Sequence, residues 1–168
     1  MTTWTAFTAA APDLADRART IITATTNCVL GTLKADGSPR LSGIDPWFTD
    51  GELYFGSMDG ARKAADLLRD PRLSLHGVPW ESRRIKDGAT DPGDADAKVM
   101  GRAVPVTDPA VQAAVMAALA AERGFDPPEG GDLFTVDVET VALVYVDGEE
   151  LVIDRWSEAE GRVTIRRT

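Results

Sequence analysis

The chain has 168 residues and a formal net charge of −9, a length that supports one domain with a substantial core. The acidic balance argues against general nucleic-acid binding, which needs a basic face. No apolar run approaches a membrane span, no basic-then-apolar leader opens the sequence, and Cys28 is the single cysteine, so no intrachain disulfide forms and a cytoplasmic protein without a membrane partner is expected.

Residues 1–11 are small and polar with Trp4 and Phe7 embedded. They read as an arm, either mobile or docked across a partner subunit, and the aromatics favour docking. From Pro12 a helix is expected. Proline suits a first turn, and Leu14, Ala18, Ile21, Ile22 and Thr25 recur at helical spacing. Two Asp-Gly pairs, Asp36-Gly37 and Asp50-Gly51, then separate runs of strand character. Asp-Gly tolerates positive φ, so the pattern predicts an antiparallel meander over residues 28–34, 39–48 and 52–56. Cys28 opens the first strand and reads as a small core residue. Pro46 cannot donate to a ladder and marks an edge, a bulge or the end of pairing. Gly43 serves either a barrel bend or the close approach of a ligand. Trp47 and Phe48 belong to the core or to an interface.

A helix follows and stops at Pro71, with Ser57 or Asp59 as its cap and Ala61, Ala64, Ala65 and Leu68 on one face. Arg62 and Lys63 sit in its first turn, where the helix already carries partial positive charge. Two readings stay open. Free N–H groups, a serine hydroxyl and two cations make a phosphate cradle; alternatively Arg62 pairs with Asp66 one turn on and both face solvent.

Residues 71–78 read as a strand holding His76, the single histidine. A lone histidine in an apolar strand is read as packed and hydrogen-bonded. One histidine and one cysteine exclude a zinc site of the usual nitrogen–sulfur type. The sequence has no G-x-S-x-G elbow, which leaves a serine hydrolase without support. Residues 79–96 are loop-like. They carry Trp80, the cations Arg83, Arg84 and Lys86, and an acidic cluster that lacks calcium-loop spacing. Over 81–96 this is a rim loop, whose cations either face solvent or receive an anionic substrate or the acidic tail of a cofactor. A strand over 97–106 leads through Thr107 or Asp108, either a cap, into a helix over 109–123 with Val111, Val115, Ala118 and Leu119 on one side. Strands follow over 133–138, 140–146, 150–154 and 163–166. Val141, Leu143 and Tyr145 alternate with Ala142, Val144 and Val146. Both faces are therefore apolar, as in a closed barrel or a sheet buried at a subunit interface. The whole is one domain, 1–168, mainly β (α+β), with about three helices.

The succession ADGSPR, a strand, TDGELYF, GS and ARKAADLLRDPRLSL resembles the pyridoxamine 5′-phosphate oxidase-like, FMN-binding split barrels, and among them the small flavin/deazaflavin oxidoreductases. The resemblance is continuous from about Asn27 to Val78 and resumes more weakly at AKVMGRAVPVTDP and RWSEAEGRVTIRR. It implies an antiparallel split β-barrel with peripheral helices and a homodimer with its sites at the interface. It also implies FMN or the deazaflavin coenzyme F(420) as cofactor, the two standing level. By the same resemblance Ser57, Arg62 and Lys63 hold the cofactor phosphate, and Leu41, Ser42 and Gly43 lie against the ring. The implied function is an oxidoreductase moving a hydride to or from a small organic substrate, with no catalytic side chain named. The alternative is a non-catalytic dimeric protein binding flavin or another planar ligand. A pyridoxamine phosphate oxidase proper would need a basic C-terminal substrate motif, which the chain lacks. One departure bears on the site: many relatives have asparagine where this chain has Asp66. A carboxylate there weakens anion binding unless it points away or holds Arg62. Trp4, Trp80 and Trp156 stand between the pocket and the dimer interface.

Overall fold

The computed structural model describes residues 1–24, 27–77, 95–124 and 130–168. Thr25, Val78, Trp80, Arg83, Arg84 and Lys86, and with them nearly all of the rim loop expected over 81–96, lie outside these. Two helices open the chain, α1 (Trp4–Ala10) and α2 (Pro12–Thr23). Strands β1 (Cys28–Leu33), β2 (Pro39–Ile44), β3 (Trp47–Thr49) and β4 (Glu52–Ser57) follow. Helix α3 (Arg62–Arg69) leads to β5 (Arg72–Gly77) and β6 (Asp96–Pro105). Helix α4 (Pro109–Arg123) precedes β7 (Asp132–Asp147), β8 (Glu150–Ser157) and β9 (Gly161–Arg167).

The strands form one sheet in the order β2-β1-β5-β6-β7-β4-β3, with β8 on β7 and β9 on β8, and every pair is antiparallel. Strand β7 organises it. Its first residues pair with β4, its later ones with β8, and its other edge carries β6. The register shifts at Met100/Gly101, where a side chain on Gly101 would run into the Asp137 carbonyl. That bulge bends the sheet round its core. The inner face gathers Leu30, Leu75, Val99, Val141, Phe55 and Phe134, all at most 1% exposed. This is the expected mainly antiparallel α+β split-barrel architecture.

The Asp-Gly hairpins form as expected, with Gly37 at φ 80°, Asp50 at φ 49° and Gly51 at φ 79°. Cys28 is buried, and its thiol donates to the Ile22 carbonyl at 3.5 Å. Pro46 ends pairing: the expected 39–48 strand divides into β2 and β3 around Asp45-Pro46. Arg123 at the end of α4 forks onto Asp45 and fixes that kink. Trp47 and Phe48 are both core residues.

Three expectations are corrected. The arm is a fourth helix, with its aromatics packed into the chain's own core. Trp4 and Phe7 are 3% and 0% exposed in the chain's own core, and Phe7 meets Trp156 at 4.9 Å between ring centroids. Trp4 and Trp156 are thus packing residues. The helix starts because Thr3 caps Ala6 (3.1 Å) and because Glu52 on β4 accepts the Trp4 N–H at 2.8 Å. Helix α3 is capped by neither Ser57 nor Asp59; Ala61 is its N-cap and offers no side-chain bond. Its buried face is Ala64, Asp66 and Leu67, while Ala65 and Leu68 are exposed. No helix among the described residues is long and apolar enough to cross a membrane.

Because Phe7 is enclosed, Phe7→Ala should lower unfolding stability by about 3–5 kcal/mol, read from urea denaturation. A freely moving arm would leave the midpoint unchanged.

Candidate functional site

The sequence singled out two groups, the residues opening α3 and the middle of β2. Strand β4 ends at Ser57, which is 9% exposed. A tight turn follows, closed by the Ala61 N–H on the Met58 carbonyl at 3.1 Å, with Gly60 at φ 68°. Helix α3 then begins at Arg62. Gly131, at φ 91°, packs directly on this link, and a side chain there would collide with the Ser57 carbonyl and crowd the Asp59 N–H. The 130–131 turn therefore helps set the path from Ser57 into the helix.

Asp59 lies in this turn and Asp132 pairs across from Ser57, but neither forms an ion pair with the cations that open α3. With Ala61 as N-cap, the first-turn N–H groups of α3 have no capping side chain. The Ser57 hydroxyl makes one contact, to the Met58 carbonyl at 3.5 Å, at the outer limit of a hydrogen bond. Arg62 is exposed and Lys63 half-buried, and neither forms an ion pair with a described residue. Free N–H groups, a weakly engaged hydroxyl and two unpaired cations in one turn are the elements of an anion site.

Asp66 does not oppose them. It is 3% exposed, and its carboxylate is committed to other donors. Its carboxylate accepts Arg40 Nε at 2.6 Å, Thr32 Oγ1 at 3.1 Å and Arg69 Nη2 at 3.2 Å. Arg69 also donates to the Leu33 carbonyl at 2.5 Å. The Arg62–Asp66 pair considered from sequence is absent, and so is any hold of Asp66 on Arg62. Burial pushes the Asp66 carboxyl up, but hydrogen bonds from Arg40, Arg69 and Thr32 and the Arg40 charge outweigh it, and the group lies below its ordinary value. Arg72, another cation nearby in sequence, is engaged: it forks onto Asp70 and its hydrogen bonds hold that carboxyl down at about 2.

Strand β2 is at the sheet edge, bonded to β1 alone. Arg40, Ser42 and Ile44 point inward, while Leu41 and Gly43 point out, Leu41 being 75% exposed. Opposite Leu41 stands Gly31, and the row continues through Ser74 and Met100. The outer face there is a floor of small and apolar groups. The structure thus links Ser57, Arg62 and Lys63 in one turn, and joins that helix to the Leu41–Gly43 strand through Arg40 and Asp66. Arg40 was missed from sequence. Its inward parity with Ser42 and Ile44, opposite Thr32, was the available signal.

His76 lies on the same outer face, half-buried, with Nε2 3.2 Å from Asp96 Oδ1. The separation is that of an ion pair, but the angle is outside hydrogen-bond geometry and the nitrogen is shielded from solvent. Among the described residues no group of three His, Cys, Asp or Glu is arranged to hold a metal ion.

A family model described as pyridoxamine 5′-phosphate oxidase matches residues 14–145. No curated protein sequence matches significantly. Solved structures share the fold. A heme binding protein from Mycobacterium smegmatis is 18% identical with a TM-score of 0.58, over 91% of this chain and 87% of that one. HutZ, the heme storage protein from Vibrio cholerae, is 16% identical with a TM-score of 0.57, over 77% and 90%. ChuZ from Campylobacter jejuni is 11% identical with a TM-score of 0.69, over 90% and 62%.

The lowered Asp66 carboxyl predicts a pH signature. A group depressed in the folded state stabilises above its unfolded pKa, and that contribution is lost as pH falls through the folded one. Wild type should exceed Asp66→Asn in stability near pH 7, and the gap should close below about pH 4. Urea midpoints measured across this range check it; a constant gap would mean the carboxylate is not charged in the folded protein.

Proposed function

Since the chain belongs to the pyridoxamine 5′-phosphate oxidase family, we propose that it binds a flavin-type cofactor, FMN or F(420), and works as an oxidoreductase on a small organic substrate. The observation that carries this reading is the turn from Ser57 to Lys63, where two cations without ion-pair partners among the described residues meet an uncapped helix start while the Asp66 carboxylate is taken up by Arg40, Arg69 and Thr32. The residues present fit a phosphate-bearing cofactor. Arg62 and Lys63 neutralise the phosphate, first-turn N–H groups and the Ser57 hydroxyl donate to it, and the outward Leu41 and Gly43 with the backbone of Ser42 line the ring. When bound, the cofactor supplies hydride transfer, and the protein contributes position and electrostatics. Gly43 has no side chain to hinder close approach, and Leu41 presents an apolar surface to a flat ring.

Self-association is part of the proposal. On the outer sheet face Leu41, Met100, Val146, Leu151 and Ile165 are 75%, 39%, 67%, 40% and 36% exposed, and strand register puts them on one side. These exposed apolar residues, interspersed on that face with His76, Lys98, Asp96 and Arg155, support a homodimer with the ring strand at its interface. Met100→Glu with Val146→Glu should shift the mass in light scattering from dimer to monomer. An unchanged dimer would move the interface elsewhere.

A second reading is a non-catalytic planar-ligand binder. The M. smegmatis and V. cholerae structures are named for heme binding and heme storage, and the same apolar floor suits a porphyrin. Against an axial role for His76, its Nε2 is closed off beside Asp96.

Titration of the purified protein with FMN, F(420) and heme separates the readings. Arg62→Ala and Lys63→Ala should each weaken FMN or F(420) binding roughly 10- to 100-fold, the effect of losing about 1.5–3 kcal/mol of charge-assisted contact. Heme binding with no response to FMN or F(420) would overturn the oxidoreductase reading.

A further inference from the structure

Two buried carboxylates hold the described structure together, and they differ in reach. Asp154, 2% exposed, takes Arg162 at 3.0 and 2.7 Å and Thr164 at 3.3 Å, joining the adjacent strands β8 and β9. Asp66 draws its donors from three elements: Thr32 on β1, Arg40 on β2 and Arg69 on its own helix. Strand β2 has a backbone partner on one side only. Its position relative to α3 therefore depends on what Arg40 grips. Arg40 directly precedes Leu41, Ser42 and Gly43, and Asp66 lies one turn after Arg62 and Lys63.

We propose that Asp66 is a positioning residue for ligand binding, fixing strand β2 against the start of α3 so that one ligand is held at both its phosphate and its ring. This rests on the assignment of the phosphate to Arg62 and Lys63 and of the ring to Leu41–Gly43. Asp66 touches neither group. It acts through Arg40, whose guanidinium makes the one side-chain hydrogen bond and ion pair between β2 and α3 among the described residues. A neutral amide in its place keeps the volume, but turns an N–H group toward one of the guanidinium groups and removes the charge that holds them.

The test is a binding cycle with two probes, FMN and riboflavin, which share a ring system and differ in the phosphate. Wild type, Asp66→Asn, Arg40→Gln and the double variant are titrated with each, and backbone amide exchange is followed without ligand. Each single variant should lose about tenfold in FMN affinity. The double variant should be no worse than the weaker single, because both remove one link. The advantage of FMN over riboflavin should shrink in all three, since phosphate and ring can no longer be met together. Amides of Leu41 and Ser42 should exchange faster, while those of β8 stay protected. Arg40→Gln leaves Asp66 bonded to Arg69 and Thr32, and so keeps the test open if Asp66→Asn does not fold. Folded variants with wild-type FMN affinity and an unchanged FMN advantage would overturn the proposal, as would additive losses. Loss of FMN binding in Asp66→Asn with no loss in Arg62→Ala would instead overturn the phosphate assignment. If wild type binds neither probe, amide exchange still decides: unchanged β2 amides in the variants overturn the link.

Discussion

The contact on which the proposed site depends is Arg40 Nε on Asp66 Oδ2 at 2.6 Å, beside a core of apolar side chains. A carboxylate that is 3% exposed loses most of its hydration, and its charge persists only where donors replace the water. Here three groups do so, two of them cationic. The arrangement also decides the charge of the helix. Arg40 and Arg69 consume the Asp66 charge, so Arg62 and Lys63 keep theirs. A protein of net charge −9 can in this way present a positive turn. The balance is local, set by which cation each acid faces.

How far the sequence foretold this differs from element to element. The Asp36-Gly37 and Asp50-Gly51 hairpins were legible because the turn is a property of the residues in it. Asp36 caps its own turn, taking the Ser38 N–H at 2.9 Å, and Gly37 and Gly51 occupy the left-handed region without cost. Helix α2 was legible because Leu14, Ala18, Ile21 and Ile22 repeat along one face, and all are buried. The strand limits erred where β2 and β3 part at Asp45-Pro46, since the clamp there comes from Arg123, 78 residues away, and at Glu139, where the two strands expected over 133–138 and 140–146 run on as the single β7.

Helix α1 was illegible for the same reason. Seven residues are too few to form a helix unaided. It holds because Glu52, 48 residues on in the chain, accepts the Trp4 N–H, and because Phe7 fills space beside Trp156. Within the site the contrast is sharper. The cations opening α3 were visible as a violation of helix-end electrostatics, and the structure leaves that violation uncompensated among the described residues. The partner of Asp66 was not visible. Arg62 at one turn's distance was the local choice, whereas Arg40, 26 residues earlier, wins. Strand parity places Arg40 and Thr32 on the inner face above the helix, and a register of this kind is fixed only once the sheet has formed.

The same logic bears on what the fold leaves variable. Structures of this architecture at 18% and 16% identity are named for heme, while the family model is named for an oxidase acting on a phosphate ester. The shared barrel therefore does not select the ligand; a few side chains on its surface do. In this chain the outer floor of Gly31, Leu41, Ser74 and Met100 is indifferent chemistry, open to any flat apolar ring. Under the proposed reading, the discriminating groups are those with charge to spare. His76 is turned to Asp96, Arg72 to Asp70 and Arg40 to Asp66. Arg62 and Lys63 keep their charge unspent, and a ligand with a phosphate answers that charge where an apolar ring alone does not.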